Sequence, residues 1–475
     1  MQRVTTPGLA FKRMKRFQHV VNVLAKYGFG EVLTRIRVWQ HINIEKRFFR
    51  HEREFTTLTI PQRLLLALEE LGPSFIKLGQ VLSTRPDLVP PDIIVELKKL
   101  QASVHFVSSD NVKSIIESEL GRPISEIFDS FDNTPLAAAS LAQVHRAVLN
   151  GKRVVLKVQR PDIVETIELD VDIMLSVARL AERYSPEAFL INPVGLVEEF
   201  AQQIKKELDF LMEAQNIHRF AQNFANDKTI HVPDVYPELC TKHVVTMEYL
   251  DGINISETQK LIDEGYNLGL IASRGAIIGF KATFQHGFFH ADPHPGNVLV
   301  LPDNVIGLVD FGMMATLSLR DRERLAKLVY FISVSDEKRV ARALDGLMES
   351  EDVIPAEDLE PAMSSIIKEF GDISNRELHL AGMLFAMLQA IISHGGRLRP
   401  QLIWVTKSIA IQEEIAHRLN AELNVMELAN PYAQKLLTQK LNPLRQPREI
   451  YYWFIDALDL VRDIPYDLGI VLREI

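Results

Sequence analysis

The most informative segment of the chain reads Phe288-Phe289-His290-Ala291-Asp292-Pro293-His294-Pro295-Gly296-Asn297, and Asp310-Phe311-Gly312 follows it. Two prolines and a glycine prevent a helix through residues 293–296, so the polar side chains are predicted to lie on a rigid loop. Apolar runs flank both pieces, so the loop should emerge from the core of a packed unit rather than from a tail. The segment therefore predicts two carboxylates and an amide held in fixed positions.

The spacing of these polar residues is typical of kinases. Asn297 comes five residues after Asp292, and Asp310 comes thirteen residues after Asn297. Kinases use this arrangement for a catalytic aspartate and two metal-binding residues. An alternative is a hydrolase metal site at His290, Asp292 and His294, because imidazole and carboxylate suit zinc or iron. That alternative leaves the other polar residues without roles, and we expect both histidines to hold the loop through hydrogen bonds.

Two features upstream of this segment could contact phosphate, namely a run of small residues and a lysine within a predicted strand. The small residues Ala137-Ala138-Ala139-Ser140 precede a predicted hairpin, whose strands Val144–Val148 and Val154–Val158 are joined by Asn150-Gly151. Small side chains let backbone N–H groups approach an anion closely, although an alanine run alone is more typical of a helix start. Lys157 stands between apolar strand residues, so it either points to solvent or needs a phosphate or carboxylate as partner.

A long helix is predicted over Pro193–Phe224. On such a helix Asp209, Glu213 and Asn216 fall at i, i+4 and i+7 and share one face, while Glu207 lies roughly 120° away. The helix would offer acidic groups in two directions. Without other observations, a solvated charged face is the simpler interpretation.

The composition sets broad limits. The chain has 475 residues and is 47% hydrophobic, which predicts two or three packed units. Its net charge of −9 argues against a globally basic nucleic-acid binder. Cys240 is the only cysteine, so neither a disulfide nor a cysteine-based zinc site is expected. The apolar stretch Leu380–Ile392 is too short to cross a bilayer and predicts a buried helix.

Residues 1–55 form a basic arm on an acidic body. They carry a net charge of +8, whereas the remaining residues carry −17. The apolar residues of Phe11–Leu24 recur at helical spacing, and Gly28 and Gly30 are predicted to end this amphipathic helix. Its polar face carries Lys12, Lys15, Arg16, His19 and Lys26. The arm is predicted to bind an anionic membrane or another polyanion, or to dock on the acidic body; we expect residues 1–30 to bind anionic bilayers.

These motifs together resemble the UbiB family of atypical kinase-like proteins, which support ubiquinone and other isoprenoid-lipid metabolism. The resemblance covers about residues 60–420, and it implies an α+β, bilobal fold of the atypical protein-kinase type. A small mixed N-lobe sheet, a large helical C-lobe and an N-terminal helical extension are expected. The matching motifs are Lys77-Leu78-Gly79-Gln80, Ala137-Ala138-Ala139-Ser140, Glu207-Leu208-Asp209 and His290-Ala291-Asp292-Pro293-His294-Pro295-Gly296-Asn297.

The resemblance also divides the chain into segments. Many family members end in a pair of transmembrane helices, whereas Tyr451–Val461 is short and amphipathic. The chain is therefore either an anchorless member or a sequence cut before the anchor, and we favour the second. The predicted segments are the arm 1–60, a helical extension 61–130 with the Lys-x-Gly-Gln motif, the N-lobe 131–250, the C-lobe 251–440 with the catalytic and metal loops, and a helical C-terminal segment 441–475.

The resemblance implies how ATP would bind. Ala137, Ala138, Ala139 and Ser140 would cover the nucleotide phosphates in place of a glycine-rich loop. Lys157 would contact those phosphates and pair with Glu213. Glu248 and Leu250 would belong to the hinge that binds adenine.

Catalytic and regulatory roles follow in the same way. Asp292 would be the base or water-orienting residue, and Asn297 and Asp310 would hold Mg²⁺. The segment with Lys77 and Gln80 would fold over the active site and block the groove for a protein substrate. The acidic residues that would pair with Lys77 are Glu207 and Asp209.

Two departures from ordinary protein kinases bear on the activity. No Gly-x-Gly-x-x-Gly precedes the lysine strand, and no Ala-Pro-Glu follows Asp310-Phe311-Gly312, which disfavours protein phosphorylation. The resemblance implies an Mg-dependent ATPase or small-molecule kinase, or alternatively a catalytically weak nucleotide-binding scaffold that regulates a lipid-biosynthetic complex. The expected partners are an anionic membrane surface, an isoprenoid lipid or quinone precursor, and a biosynthetic protein complex. The expected location is the cytoplasmic face of a bacterial inner membrane, with a mitochondrion as the alternative.

Overall fold

The computed structural model of the chain describes residues 7–37, 58–83, 85, 88–100, 106–184, 192–345, 347–348, 354–371, 380–396, 399–419, 421 and 423–440. The predicted segment 441–475 and parts of the predicted arm 1–60 lie outside these residues. The domain boundaries therefore stay predictions.

The described residues form helices and short strands. The helices are α1 (Pro7–Lys26), α2 (Gly30–Arg35), α3 (Ile60–Leu71), α4 (Pro73–Leu82), α5 (Pro91–Leu97), α6 (Ser109–Leu120), α7 (Ile124–Ile127), α8 (Ile163–Tyr184), α9 (Pro193–Glu207), α10 (Phe210–Asn223), α11 (Thr258–Asp263), α12 (Leu268–Phe280), α13 (Leu319–Ser333), α14 (Glu337–Asp345), α15 (Ala356–Gly371), α16 (Leu380–Ser393), α17 (Pro400–Arg418) and α18 (Val425–Lys440). The strands are β1 (Ser130–Phe131), β2 (Ala137–Ala138), β3 (Ala142–Leu149), β4 (Lys152–Gln159), β5 (Ile230–His231), β6 (Val244–Glu248), β7 (Ile253–Asn254), β8 (Phe288–His290), β9 (Val298–Leu301), β10 (Val305–Leu308) and β11 (Met314–Thr316).

The N-lobe is built on the predicted hairpin. Asn150 and Gly151 both have positive φ, 50° and 74°, which is the backbone of a two-residue turn whose twist matches its strands. The sheet order is β1-β3-β4-β6, with β2 paired to β3. All of these pairs are antiparallel, whereas a mixed N-lobe sheet was expected. Lys157 is opposite Val144 on one side and Val245 on the other, so it lies on an inner strand rather than on an edge.

The C-lobe is mainly helical and carries two small sheets, in the orders β5-β10-β9-β7 and β8-β11. Helix α16 occupies the position predicted for a buried helix over Leu380–Ile392, and seven of its side chains are buried. Strands β8 and β10 each lead into one of the polar loops found in the sequence, at residues 291–297 and 309–312. The sheets thus support the two loops, and the α+β bilobal kinase-like fold is confirmed.

The prediction of one continuous helix over Pro193–Phe224 is wrong, because α9 ends at Glu207 and α10 starts at Phe210. Asp209 is extended, and its carboxylate caps α10 by accepting from the Leu211 N–H at 3.2 Å. The buried Phe210 ring packs on the N-lobe sheet, and its N–H donates to the Lys242 carbonyl at 3.1 Å. These tertiary contacts divert the chain at a point where helical periodicity continues.

Smaller corrections concern element ends. Gly30 begins α2 rather than ending a helix. Strand β5 covers only Ile230–His231, and Val235 forms an isolated bridge to Met247 rather than extending this strand. The helix that begins at Leu268 continues past Phe280 as one π-helical turn, Lys281–His286.

The basic arm docks on the acidic body. Arg16 donates to both carboxylate oxygens of Asp170, at 2.7 and 2.9 Å, and to the Leu71 carbonyl at 2.7 Å. Two further ion pairs to α8 join Lys12 to Glu165 at 2.7 Å and Arg13 to Asp172 at 3.8 Å. The docked alternative therefore accounts for these charges, and membrane binding by the arm stays a prediction. Among the described helices, none combines the length and apolar content that crossing a bilayer requires.

Candidate functional site

Lys157 lies at the centre of the site with two carboxylates. Its Nζ donates to Glu213 Oε1 and Oε2 at 2.7 and 2.8 Å and to Asp310 Oδ1 at 3.4 Å. Burial alone would lower the pKa of Lys157, but the charges of Asp310 and Glu213 raise it overall. The Lys157 ammonium therefore stays protonated and can meet an anionic ligand.

Glu213 and Asn216 connect α10 to the loop 309–312 by hydrogen bonds to the backbone of Phe311. Burial raises the pKa of Glu213 although Lys157 opposes it. The Phe311 N–H donates to Glu213 Oε1 at 3.4 Å, and Asn216 Nδ2 donates to the Phe311 carbonyl at 2.9 Å. The two polar residues share one helix face as predicted, and this face fixes the backbone after Asp310.

Asp310 is kept ionised. Burial would raise its pKa, but Lys157 and the Gly312 N–H, which donates to Oδ1 at 2.9 Å, hold the pKa of Asp310 well below its usual range. Its side chain remains 37% exposed, so an oxygen is accessible to a ligand.

The segment 290–297, called the catalytic loop below, is held by hydrogen bonds of His290 and His294, as predicted. His290 Nδ1 accepts from the Asp292 N–H at 3.1 Å, so Nε2 carries the proton and donates to the Asp310 carbonyl at 2.8 Å. Burial lowers the pKa of His290, which keeps the imidazole neutral. His294 Nδ1 accepts from the Gly296 N–H at 3.1 Å. Within the described residues, no group of three His, Cys, Asp or Glu side chains could hold a metal, so the hydrolase alternative finds no support.

A lysine that the sequence did not reveal reaches the catalytic loop. Lys407 Nζ, from α17, lies 3.1 Å from Asp292 Oδ2. Lys407 stands 115 positions after Asp292 in a helical pattern, so no local motif marks it. The pair lines a groove together with Lys77, Gln80, Gln203 and Trp404.

The Lys-x-Gly-Gln segment closes this groove from the other side. Gly72, with φ of 94°, ends α3 and allows the sharp turn into α4, which carries Lys77. Lys77 Nζ lies 2.8 Å from Glu207 Oε2. Burial would lower the pKa of Lys77, but Glu207 raises it overall, with smaller contributions from Asp292 and Asp310. The expected partner Asp209 instead caps α10 and is not among the ion partners of Lys77 in the described chain.

The predicted nucleotide-binding residues lie on the N-lobe side. Ala137 and Ala138 form strand β2 against β3, and Ala139 donates its N–H to the Ala142 carbonyl at 2.8 Å, so the alanine-rich loop is an ordered turn rather than a helix start. The Glu248 carboxylate is bonded to His231 at 2.9 Å and to the Asp234 N–H at 3.1 Å. The Glu248 N–H donates to the Asp234 carbonyl at 2.8 Å, so both the side chain and the N–H of Glu248 have partners within the protein.

The loops also offer a suitable donor set for Mg²⁺. Asp310 supplies an ionised carboxylate and Asn297 an amide oxygen, which are the hard oxygen ligands that Mg²⁺ prefers. The two loops are tied together, because the Val309 N–H donates to the Asn297 carbonyl at 3.1 Å. The residues present therefore fit the ion that kinase-type chemistry uses.

The fold and this site define an atypical kinase-like protein. A family model described as the ABC1 atypical kinase-like domain matches residues 99–344. The protein named Probable protein kinase UbiB from Aeromonas salmonicida (strain A449) is 34% identical over 442 residues, which cover 91% of this chain and 80% of that protein. The protein of the same name from Aliivibrio salmonicida (strain LFI1238) is 33% identical over 469 residues, covering 96% and 86%. The chain belongs to the UbiB family of ABC1 atypical kinase-like proteins.

A structure from Mycobacterium tuberculosis is among the solved structures that are similar to this chain. It is titled the complex structure of Rv3197-erythromycin from Mycobacterium tuberculosis, with 23% sequence identity and a TM-score of 0.47. The match covers 76% of this chain and 95% of that one.

Proposed function

We propose that the protein is an Mg-dependent ATPase or small-molecule kinase that supports ubiquinone or related isoprenoid-lipid biosynthesis at a membrane. The observation that carries the proposal is the ion-paired cluster of Lys157, Glu213 and Asp310 beside the loop that bears Asp292. A protonated lysine next to two acidic groups and an aspartate on a rigid loop matches the parts that phosphoryl transfer needs.

The binding roles follow from these positions. Lys157 binds the nucleotide phosphates, the alanine-rich turn covers them, and the backbone of Glu248 and Leu250 contacts adenine. Asn297 and Asp310 hold Mg²⁺, which neutralises phosphate charge. The ion pair with Glu213 keeps the Lys157 side chain in one orientation before ATP arrives, which reduces the ordering required on binding.

Asp292 serves as the proton acceptor. The attacking oxygen of water or of a small-molecule hydroxyl forms a bond to the γ-phosphorus while the bond to the bridging oxygen breaks. The electron pair of the broken bond stays on ADP, and the proton of the attacking group goes to the Asp292 carboxylate.

The closed groove supports water or a small molecule as acceptor. Lys77, Asp292 and Lys407 line the groove, and a peptide acceptor would have to displace the ion pairs of both lysines. The relatives are named Probable protein kinase UbiB, so a protein acceptor is the competing outcome.

A nucleotide thermal shift tests the binding step. Wild-type protein should gain stability from ATP with Mg²⁺, and Lys157→Ala should lose this gain. Turnover of ATP in the presence of anionic lipid should exceed that of Asp310→Asn. A wild type that binds nucleotide but turns it over no faster than Asp310→Asn would contradict the catalytic proposal.

A nucleotide-binding scaffold is the second candidate function. It is favoured by the Lys407–Asp292 contact, because proton transfer to Asp292 would require the carboxylate to give up the ion partner that it has in the structure. An Asp292→Asn variant should separate the two functions in a complementation assay of lipid biosynthesis. Full complementation without turnover supports the scaffold, and loss of both supports the enzyme.

A further inference from the structure

We propose that Lys407 is an active-site residue of the phosphoryl-transfer reaction, which holds the Asp292 carboxylate in the resting protein and binds the transferring phosphoryl group during the reaction. This inference rests on the proposed function and deepens it. It assigns a role to a residue outside the segment that the kinase-like family model covers, residues 99–344.

The position of Lys407 is fixed by the C-lobe core. Its neighbours on α17, Val405 and Ile409, are buried at 2% and 6% exposure, so the backbone of this turn cannot shift without disturbing packed side chains. The Lys407 side chain itself is 22% exposed and reaches Asp292 Oδ2 at 3.1 Å. A rigid helix therefore presents a long, flexible ammonium at the catalytic loop.

A phosphoryl group transferred at this loop would need a nearby cation, and Lys407 can supply it. The loop from Ala291 to Asn297 contains no lysine or arginine. Lys157 is engaged by both oxygens of Glu213, and Lys77 is engaged by Glu207. Negative charge on the transferring group spreads over its equatorial oxygens and is stabilised by positioned cations.

Lys407 alone of these lysines has the proposed proton acceptor as its ion partner. If Asp292 accepts the proton of the attacking oxygen, the phosphoryl group lies next to the carboxylate that Lys407 already contacts. An unbalanced Asp292 carboxylate would repel an incoming phosphate, and the ammonium cancels that repulsion.

The proton transfer then releases Lys407. Asp292 becomes neutral when it takes the proton, so its attraction for the ammonium falls as the new bond to phosphorus forms. The Lys407 ammonium turns from the carboxylate to the phosphoryl oxygens, while the electron pair of the broken bond remains on ADP. The change of partner needs only side-chain rotation at a fixed backbone.

The test compares Lys407→Ala, Lys407→Gln and Lys407→Arg with Arg418→Ala. Arg418 is a matched control because it lies on the same helix and pairs with the exposed Glu414 at 2.7 Å. Thermal stability is measured with ADP and Mg²⁺, and then after addition of aluminium fluoride, which mimics the transferring phosphoryl group. Turnover of ATP gives kcat and KM separately.

We expect Lys407→Ala and Lys407→Gln to keep the shift from ADP and Mg²⁺, which also shows that they are folded. They should lose the additional shift from aluminium fluoride, and kcat should fall by about a hundredfold with KM for ATP little changed, as for loss of a transition-state contact. Lys407→Arg should regain part of both readouts, and Arg418→Ala should match wild type.

Two results would overturn the inference. One is a wild type that binds ADP but gains nothing from aluminium fluoride, and the other is a Lys407→Gln variant that keeps the full additional shift. A wild type without turnover whose aluminium fluoride shift depends on Lys407 refutes the proposed enzyme but supports the assignment of Lys407 as the phosphoryl-binding cation.

Discussion

Replacing Lys157 by methionine should destabilise the protein by about 3 kcal/mol. Breaking a buried ion pair by removing one partner costs about 3–5 kcal/mol, because the other charge is left buried without compensation. The Glu213 side chain is only 4% exposed and carries most of this cost, whereas Asp310 is 37% exposed and keeps contact with water. Because only one of the two carboxylates is buried, we expect a cost at the lower end of this range, about 3 kcal/mol.

The loss should depend on pH. Burial already raises the pKa of Glu213 above its ordinary value of 4.5, and removal of Lys157 takes away the opposing charge, so the pKa rises further. A carboxyl group with a raised pKa in the folded state binds its proton more tightly there than in the unfolded chain. Its stabilising contribution is present below the unfolded pKa and is lost as pH rises through the folded pKa. Lys157→Met should therefore be closer to wild type at about pH 5 than at about pH 8.

Urea unfolding followed by far-ultraviolet circular dichroism measures both effects. Adding Glu213→Gln to Lys157→Met removes the isolated charge and should restore most of the stability at about pH 8, whereas nucleotide binding should stay lost. Equal destabilisation at both pH values, or no recovery in the double variant, would show that the cost does not come from the buried Glu213 charge.

Three further predictions concern groups away from the nucleotide. Arg16→Ala should lower the free energy of unfolding by about 3 kcal/mol in urea melts, because it leaves the fully buried Asp170 carboxylate without its ion partner. Lys12→Ala breaks an exposed ion pair and should leave the midpoint of urea unfolding unchanged. Burial raises the pKa of Glu413 to about 7, so Glu413→Gln should stabilise the protein increasingly between about pH 4.5 and pH 7, by at most about 3 kcal/mol; an equal effect at both pH values would contradict this. Lys15 is exposed on docked α1, and Lys15→Ala should weaken co-sedimentation with anionic vesicles by about fivefold; unchanged binding would remove the arm as the membrane contact.

Local patterns predicted the parts of the fold that local chemistry decides. Asn150-Gly151 predicted the hairpin because few residue pairs tolerate positive φ at both positions. The prolines of the segment 293–296 predicted the loop, and its histidines hold it as expected. These features depend on residues that are adjacent in the chain, so one sequence contains the whole signal.

The remaining features depend on distant contacts. The break before Phe210 is set by its packing against the N-lobe sheet, which helical periodicity cannot reveal. Lys407 reaches Asp292 only because α17 folds back onto the catalytic loop. The basic charge of the arm was evident from the sequence. That the arm docks on α8 could not be predicted, because this depends on where the fold places Glu165 and Asp170.

The break between α9 and α10 gives the two acidic partners independent supports. Glu207 is the last residue of α9, and Glu213 lies in the first turn of α10, with Leu208 and Asp209 as a joint between them. Two helices therefore set the directions of Glu207 and Glu213 separately, which lets one short stretch of chain supply carboxylates to both Lys77 and Lys157.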